Sequence, residues 1–296
     1  MKIKKLINSK NVIVFGGAGF LGSHISDYLT AAGHKVTIFD KNKSKFIKKN
    51  QTMVIGNITN FYEVQKAIKN QKCVFHFAGV SDLEESNLRP LKAIKFNILG
   101  TANILEAIKK NQTINRIIFA SSIYARSKQG GFYSTTKRSC ESLIENYNSK
   151  YNVNYTILRF GSLYGLRANH FNAIQKFIIE GMKNQKIKRD GDGMEIRNYI
   201  NVKDAAKICV EILKKKYVNQ YYNIMGKEKM TVRKIINLIS KKTSTKKIIY
   251  RKSKLNDTHY KMNPFTYKVK EAKFLNVKNS IKLEQGIQEI IDSYSK

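Results

Sequence analysis

Short apolar runs alternate with longer amphipathic segments through the first half of the chain. The apolar runs predict strands at Asn11–Phe15, Lys35–Phe39, Thr52–Ile55, Cys73–Phe77, Arg116–Ala120 and Tyr155–Phe160. The segments between them predict helices at Phe20–Ala32, Phe61–Lys69, Arg89–Asn111 and Tyr133–Lys150, with Gly33 as a glycine cap. Strands separated by helices need crossover connections, which put a mostly parallel sheet between two helical layers. The pattern therefore predicts a doubly wound α/β fold.

After Gly165 the alternation becomes less regular. The pattern there predicts an extended segment at Arg197–Val202, a helix from an Asp204 N-cap through Lys214, and helices at Phe171–Lys183, Thr231–Lys242 and Leu283–Ser293. We expect residues 1–163 to form the main domain and residues 164–296 to form a smaller, interleaved α/β lobe. Residues 197–216 are expected to return to the main domain.

A glycine-rich turn follows the first predicted strand. It reads Gly16-Gly17-Ala18-Gly19-Phe20-Leu21-Gly22 and contains the spacing Gly-x-Gly-x-x-Gly. Glycines allow a tight turn, a close approach of a pyrophosphate to the backbone, and close packing of helix on strand. Asp40 ends the second strand, where a carboxylate accepts hydrogen bonds from ribose hydroxyls and repels a 2′-phosphate. The sequence thus predicts a Rossmann domain that binds NAD in preference to NADP, although Lys41 and Lys43 follow directly.

A second set of residues predicts acid–base chemistry. Tyr133 and Lys137 lie four residues apart in a predicted helix, so their side chains share one face. A neighbouring ammonium group lowers the pKa of a tyrosine and lets its phenol exchange a proton with an alcohol. Ser122 follows a strand whose carboxyl end faces the ligand crevice of such a sheet, so its hydroxyl could hold the same substrate oxygen. These three residues are the predicted catalytic group.

The composition of the chain limits the kinds of partner and the compartment that we expect. The net charge of +34 is spread along all 296 residues, with its densest stretch at Lys241–Lys254, and favours a solvated basic surface over a nucleic-acid site. The three cysteines are isolated, which predicts neither a disulfide framework nor a metal site. We find no signal peptide and no apolar run of the roughly 18 residues that a membrane span needs. A cytoplasmic protein without membrane insertion is therefore expected.

Taken in order, the motifs resemble those of the extended short-chain dehydrogenase/reductase family, in its NAD-dependent nucleotide-sugar epimerase/dehydratase branch. In the first half they are residues 16–24, Asp40, Gly56-Asn57-Ile58, His76-Phe77-Ala78-Gly79 and Asn97-x-x-Gly100-Thr101. They continue with Ser121-Ser122, Tyr133-x-x-x-Lys137, Leu158-Arg159-Phe160, Tyr164-Gly165, Gly191-Asp192-Gly193 and residues 197–204. The resemblance covers nearly the whole chain.

This resemblance implies a role for each matching residue. The cofactor would contact Gly16, Gly17, Gly19, Phe20, Leu21, Gly22 and Asp40, then Asn57 and Ile58 at the adenine, and Ala78, Gly79, Asn97, Tyr133 and Lys137. Arg197 would clamp the diphosphate of a nucleotide-sugar substrate, with Arg167 and Arg251 as further candidates. A homodimer built by the helices at Arg89–Asn111 and Tyr133–Lys150 is also implied.

Some residues depart from the family pattern, and these departures limit which of the family's reactions we expect. Asn57 stands where the family usually has aspartate, and Ser162 where many relatives have a substrate-contacting asparagine. Dehydratases carry an Asp-Glu pair after the catalytic hydroxyl residue, whereas Ile123 and Tyr124 follow Ser122 here. Glu84 and Glu85 are expected to be loop carboxylates, and Cys140 a packed residue. We therefore expect C4 epimerisation through a 4-keto sugar, as in polysaccharide biosynthesis, with a keto-sugar reductase using NAD(P)H or a non-catalytic dinucleotide sensor as alternatives.

Overall fold

A computed structural model of the chain describes residues 10–111, 113–252, 259, 261, 262, 264–268 and 288. Its strands are β1 (Asn11–Phe15), β2 (Lys35–Asp40), β3 (Gln51–Ile55), β4 (Cys73–His76), β5 (Arg116–Ser122), β6 (Tyr155–Phe160), β7 (Ser162–Tyr164), β8 (Lys186–Asp190), β9 (Ile196–Asn201), β10 (Gln220–Ile224), β11 (Lys229–Thr231) and β12 (Lys247–Arg251). Its α-helices are α1 (Phe20–Ala31), α2 (Phe61–Ala67), α3 (Leu83–Leu88), α4 (Pro90–Ala93), α5 (Gly100–Lys110), α6 (Gly131–Tyr151), α7 (Ala173–Asn184), α8 (Val202–Glu211) and α9 (Val232–Lys242).

Seven parallel strands form the main sheet, in the order β10-β6-β5-β4-β1-β2-β3. Its apolar strands are covered on both faces, and two buried clusters lie on either side of it. One cluster packs the sheet against α2, α5 and α6. The other packs it against α1 and α8. The predicted doubly wound Rossmann fold is confirmed.

The strand order reverses between β1 and β4. From β1 the chain continues to β2 and β3 on one side, and then crosses to β4, β5 and β6 on the other. Two neighbouring strands whose connections leave in opposite directions open a crevice at their carboxyl ends, where ligands bind in such sheets. The glycine turn after β1 and the Phe77–Val80 turn after β4 flank this crevice.

Several predicted boundaries need correction. The single helix expected at Arg89–Asn111 is divided into α4, a π-helical segment at Ile94–Leu99, and α5. Glu84 and Glu85 lie in the first turn of α3, rather than in a loop, because Asp82 caps that helix. Asn201, not Asp204, caps α8, and that helix ends at Glu211.

The second half of the chain supplies parts of both regions. Strand β10, which the pattern did not predict, joins the edge of the main sheet beside β6. Helix α8 shares the buried cluster of α1, through Ala205, Ala206 and Cys209. The return of residues 197–216 to the main domain and the division at residue 163 both stay predictions.

Two small sheets complete the described part of the second half. Strands β11, β9 and β7 form one, and β12 and β8 form the other. Helices α7 and α9 pack on them around Phe177, Ile187 and Ile236. The described residues up to Thr266 form one compact unit, and the described residues beyond it are assigned to a second. Except for Gln288, the helix predicted at Leu283–Ser293 lies outside the described residues.

None of the described helices combines the length and apolar character that a membrane crossing requires.

The buried His76 on β4 makes stability depend on pH. Its Nε2 lies 2.9 Å from Thr101 Oγ1, and burial, followed by the charge of Lys137, lowers its pKa from 6.5 to about 3. Below pH 6.5 the unfolded chain therefore binds a proton that the folded chain does not. This stabilising contribution is present above pH 6.5 and is lost as the pH falls towards 3, by up to about 1.4 kcal/mol per pH unit.

We predict that His76→Gln makes the free energy of unfolding less dependent on pH between 7.5 and 5. Urea unfolding at a series of pH values measures this slope for both proteins. His170→Gln, at an exposed histidine, is the control and should keep the wild-type slope. Equal slopes for His76→Gln and the wild type would contradict the assignment.

Candidate active site

The glycine turn packs backbone against backbone on the turn after β4. Gly16 has φ +79°, and a Cβ atom there would lie 2.5 Å from the backbone nitrogen of Ala78. A Cβ atom at Gly22 would lie 2.2 Å from the carbonyl oxygen of Gly16. Contacts this short exclude any side chain, so the two turns can form the crevice only with glycine at these positions.

The start of α1 fits the diphosphate of a dinucleotide. Gly19 is the N-cap and supplies no side-chain hydrogen bond, and the first turn of α1 has no acidic residue. The N–H groups of this turn and the positive end of the helix dipole therefore face the crevice. Phe20 packs edge-on against His24, with ring centroids 6.2 Å apart, and Leu21 packs on the core.

Asp40 lies against the glycine turn at the end of β2. Its Oδ2 accepts a hydrogen bond from the Ala18 N–H at 3.1 Å, and its Oδ1 accepts one from the Asn42 N–H at 3.1 Å. These two contacts fix the carboxylate beside the crevice. Such a carboxylate suits the ribose hydroxyls of a dinucleotide and repels a 2′-phosphate.

The residues expected at the adenine form a turn after β3. Asn57 Oδ1 accepts hydrogen bonds from the Thr59 N–H and hydroxyl, each at 3.0 Å, and the Asn57 N–H donates to Glu63 at 2.6 Å. The side chain of Ile58 is buried in the core. The side-chain oxygen of Asn57 is therefore engaged in shaping the turn, and contact of Asn57 or Ile58 with adenine stays a prediction.

Asn97 joins the turn after β4 to the catalytic helix. Its Oδ1 accepts from the Val80 N–H at 2.7 Å, and its Nδ2 donates to the Val80 carbonyl at 3.1 Å and to Thr136 Oγ1 at 2.9 Å. Through Val80 these bonds position the adjoining Ala78 and Gly79. A direct contact between Asn97 and a cofactor stays a prediction.

Cys140 is fully buried beside the same residues, with its thiol donating to the Asn97 carbonyl at 3.2 Å. Burial also raises the pKa of this thiol. The expectation of a packed cysteine is confirmed.

The structure brings the three predicted catalytic residues together. The Ser122 hydroxyl lies close enough to Tyr133 to lower the pKa of its phenol. Lys137 Nζ donates to the Ala120 carbonyl at 2.7 Å and lies 5.9 Å from the centroid of the Tyr133 ring. All three side chains are more than nine-tenths buried. Strand β5 and helix α6 therefore place a hydroxyl, a phenol and an ammonium group at the carboxyl edge of the sheet.

Burial sets the proton affinity of this group. It raises the pKa of Tyr133 to about 12, the Ser122 hydroxyl opposes this, and the negative charge of Asp82 adds to it. Burial also lowers the pKa of Lys137, against the charges of Cys140 and Glu141. The expected lowering of the Tyr133 pKa is therefore wrong for the protein without its cofactor, because loss of hydration outweighs the lowering by Ser122.

Two residues near Tyr133 had no signal in the sequence pattern. The Tyr124 ring lies edge-on to Tyr133 with centroids 6.4 Å apart, and the Tyr124 hydroxyl lies 2.6 Å from His259 Nδ1. The charges of Arg197, Arg189 and Asp82 also act on the His259 ring. His259 therefore connects the neighbourhood of the predicted diphosphate clamp to that of the catalytic tyrosine.

The three predicted substrate arginines lie in different surroundings. Arg197 on β9 is buried, and one of its guanidinium nitrogens donates to the Ile196 carbonyl at 2.9 Å. Arg167 instead binds Asp27 of α1 at 2.8 Å and stacks over Phe46. Its described contacts thus join the loop after β7 to α1.

Arg251 pairs with Asp190 at 2.8 Å, and both side chains are about half exposed. It lines an open pocket of about 380 Å³ with Asp192, Arg233, Lys252 and Lys261. The roles of Arg197, Arg167 and Arg251 in substrate binding stay predictions.

Comparison with known proteins identifies relatives. The sequence model of a family described as "NAD dependent epimerase/dehydratase family" matches residues 12–224. A Methanocaldococcus jannaschii protein named "Putative UDP-glucose 4-epimerase" is 28% identical over 303 positions, which cover 95% of this chain and 97% of the relative.

Solved structures agree with this result. A UDP-N-acetylglucosamine 4-epimerase from Methanobrevibacter ruminantium M1, solved with UDP-N-acetylmuramic acid, is 26% identical with a TM-score of 0.79, covering 88% of this chain and 93% of that one. A Thermus thermophilus UDP-glucose 4-epimerase solved with NAD has a TM-score of 0.78 at 22% identity, covering 86% and 89%. The latter likeness concerns the fold.

We predict that Asp40→Asn reduces the preference for NAD over NADP by about tenfold, because it removes the charge that repels the 2′-phosphate. Fluorescence or calorimetric titration with both dinucleotides measures the ratio of dissociation constants. Glu211→Gln removes an exposed carboxylate on α8 and should leave the ratio unchanged. An unchanged ratio in Asp40→Asn would show that this carboxylate does not select the cofactor.

Proposed function

The chain belongs to the NAD-dependent epimerase/dehydratase family, and we propose that it interconverts a nucleotide-activated sugar and its C4 epimer through a bound 4-keto sugar. The observation that carries this proposal is the buried group of Ser122, Tyr133 and Lys137 at the carboxyl end of β5. The crevice that fits the dinucleotide opens at the same edge of the sheet.

The proposed reaction has an oxidation step and a reduction step, and the same residues act in both. When bound in its oxidised form, NAD would supply the hydride acceptor and a positive charge. In its phenolate form, Tyr133 would take the proton of the sugar hydroxyl at Oη while the C4 hydrogen leaves as a hydride, and Ser122 Oγ would donate a hydrogen bond to the same oxygen. After the keto sugar has turned its other face, the hydride would return to C4 and Tyr133 Oη would return the proton to the oxygen.

Lys137 has an electrostatic part in these steps. Tyr133 is a phenol at neutral pH, since burial raises its pKa to about 12. Proton transfer to Tyr133 Oη therefore depends on positive charge that stabilises the phenolate. The buried ammonium group of Lys137, fixed by the Ala120 carbonyl, supplies such charge from the protein.

Sequence departures favour epimerisation over dehydration. The positions after Ser122 hold Ile123 and Tyr124, whereas a dehydratase needs carboxylates there to move carbon-bound and hydroxyl protons. Glu85, which lies on α3, is paired with Lys92 at 2.6 Å. The names of the Methanocaldococcus jannaschii relative and of the Methanobrevibacter ruminantium enzyme support a UDP-sugar as the substrate class.

The proposal extends to the setting of the enzyme. The family resemblance supports a homodimer built by the segment from α4 through α5 and by α6. A cytoplasmic place in polysaccharide biosynthesis is part of the same proposal, because nucleotide sugars are donors for such polymers.

The test incubates the purified protein and NAD with UDP-glucose, UDP-N-acetylglucosamine and UDP-glucuronic acid, and resolves the products by proton NMR. We expect one sugar to yield its C4 epimer without a net change in absorbance at 340 nm. Stoichiometric oxidation of NADH or NADPH with a 4-keto sugar, and no isomerisation, would identify a reductase instead.

We predict that Tyr133→Phe lowers the turnover of the epimerising substrate by at least about 100-fold, because general acid–base catalysis is lost. NMR rates at saturating substrate measure this, and NAD titration checks that the variant still binds the cofactor. Tyr62→Phe removes a hydroxyl from a side chain that is 79% exposed and should keep full activity. Full activity in Tyr133→Phe would refute the catalytic assignment.

We also predict that Arg197→Lys raises KM for the nucleotide sugar by about 10- to 100-fold, since lysine cannot make the two parallel hydrogen bonds of a guanidinium group with a phosphate. Steady-state kinetics measure KM, and NAD titration monitors the cofactor site. An unchanged KM in a folded variant would remove Arg197 from the substrate site.

A further inference from the structure

Three consecutive residues at the end of β5 each meet the same face of α6. Lys137 Nζ donates to the Ala120 carbonyl at 2.7 Å, Ser121 Oγ donates to Glu141 Oε1 at 2.5 Å, and the Ser122 hydroxyl lies near the Tyr133 phenol, whose pKa it lowers. Tyr133, Lys137 and Glu141 repeat every four residues, which places them along one side of the helix. Glu141 therefore lies on the same helix face as Tyr133 and Lys137, although the proposed reaction gives it no role.

A bidentate ion pair holds Glu141. Arg159 Nε donates to Glu141 Oε1 at 2.9 Å, and one of the terminal guanidinium nitrogens donates to Oε2 at 2.7 Å. Arg159 lies on β6 in register with Ser121 on β5. The side chain of Glu141 is 7% exposed and that of Arg159 is 14% exposed. Together with Ser121, three donors satisfy the buried carboxylate.

This arrangement departs from the usual pairing on a helix. A lysine and a glutamate four residues apart ordinarily face each other and can form an ion pair. Lys137 binds a neutral carbonyl oxygen instead, while Glu141 points to β6. Among the described residues, no carboxylate is bonded to the Lys137 ammonium group, which lies 5.9 Å from the centroid of the Tyr133 ring.

We propose that Arg159 is a positioning residue that holds the Glu141 carboxylate away from Lys137, so that the ammonium charge keeps acting on Tyr133. The inference rests on the proposed oxidoreduction at Tyr133. Without Arg159, the carboxylate can turn along its own helix and pair with Lys137. The phenolate would then lose part of its stabilisation.

Other titratable groups surround the pair and stay unchanged in the test. Cys140 lies on α6, His76 lies on β4, and Asp82 lies at the start of α3; each interacts electrostatically with Lys137 or Tyr133. Tyr124 lies edge-on to Tyr133 and is bonded to His259. These other groups are the same in all the variants compared. A shift of the pH profile that appears in Arg159→Met and disappears in the double variant is therefore caused by Glu141 and Arg159.

The experiment compares Arg159→Met with the double variant Glu141→Gln/Arg159→Met. In Arg159→Met, the pH at which turnover rises to half its maximum should increase by about one unit or more, and turnover at neutral pH should fall about tenfold. In the double variant both buried charges are gone, so this half-maximal pH, the midpoint of the rising limb, should return to the wild-type value. Glu145→Gln removes a carboxylate one turn further along α6 and should not move the limb.

A structural role would give a different result. Arg159→Met and the double variant would then lose turnover together without a movement of the limb, and that outcome overturns the proposal. Thermal unfolding of every variant shows whether the fold is kept.

A second readout does not depend on the substrate. The pKa of Tyr133 is followed in the NAD-bound protein by NMR of ¹³Cζ-labelled tyrosine, and Tyr133→Phe assigns its signal among the 16 tyrosines. A raised Tyr133 pKa in Arg159→Met, reversed in the double variant, supports the proposal even if no tested sugar is epimerised. An unshifted Tyr133 pKa in Arg159→Met overturns the proposal independently of the function.

Discussion

The close approach of two backbone turns, at the carboxyl ends of β1 and β4, is the constraint on which the rest of the site depends. Gly16 and Ala78 lie so near that no side chain fits between them, and Gly22 is held in the same way against Gly16. This contact fixes the start of α1 and opens the crevice where the strand order reverses. Asp40 is tied to the same turn through Ala18. The cofactor site is thus defined by backbone geometry that only glycine permits.

The three candidate catalytic residues lie at this edge of the sheet too, and burial sets their proton affinities. Removal from water raises the proton affinity of Tyr133 and lowers that of Lys137, so each group is shifted towards its neutral form. A buried phenol can exchange protons near neutral pH only if positive charge is concentrated on it. The hydrogen bond from Lys137 to Ala120 serves this purpose because it fixes the ammonium group without neutralising it.

Much of the fold could be predicted because its strands are buried on both faces and bounded by clear turn signals. Both ends of β1 and β6 match the predicted ranges. The π-helical segment could not be predicted, because Asn97 makes its hydrogen bonds with Val80 and Thr136, which are 17 and 39 residues away. The sequence predicted the meeting of Ser122, Tyr133 and Lys137, since helix spacing and strand ends determine it. It could not predict His259, which no periodic pattern connects to Tyr124.

Scarcity of carboxylates gives the acidic residues an unusual influence in this chain. With 55 basic and 21 acidic side chains, most positive charge is exposed and has little structural consequence. Three partly buried arginines are different: Arg159, Arg167 and Arg189 are paired with Glu141, Asp27 and Glu195. Each pair cancels a charge that would otherwise act on neighbouring groups. The position of each carboxylate therefore decides which buried positive charges are neutralised, and Glu141 is bonded to Ser121 and Arg159 rather than to Lys137.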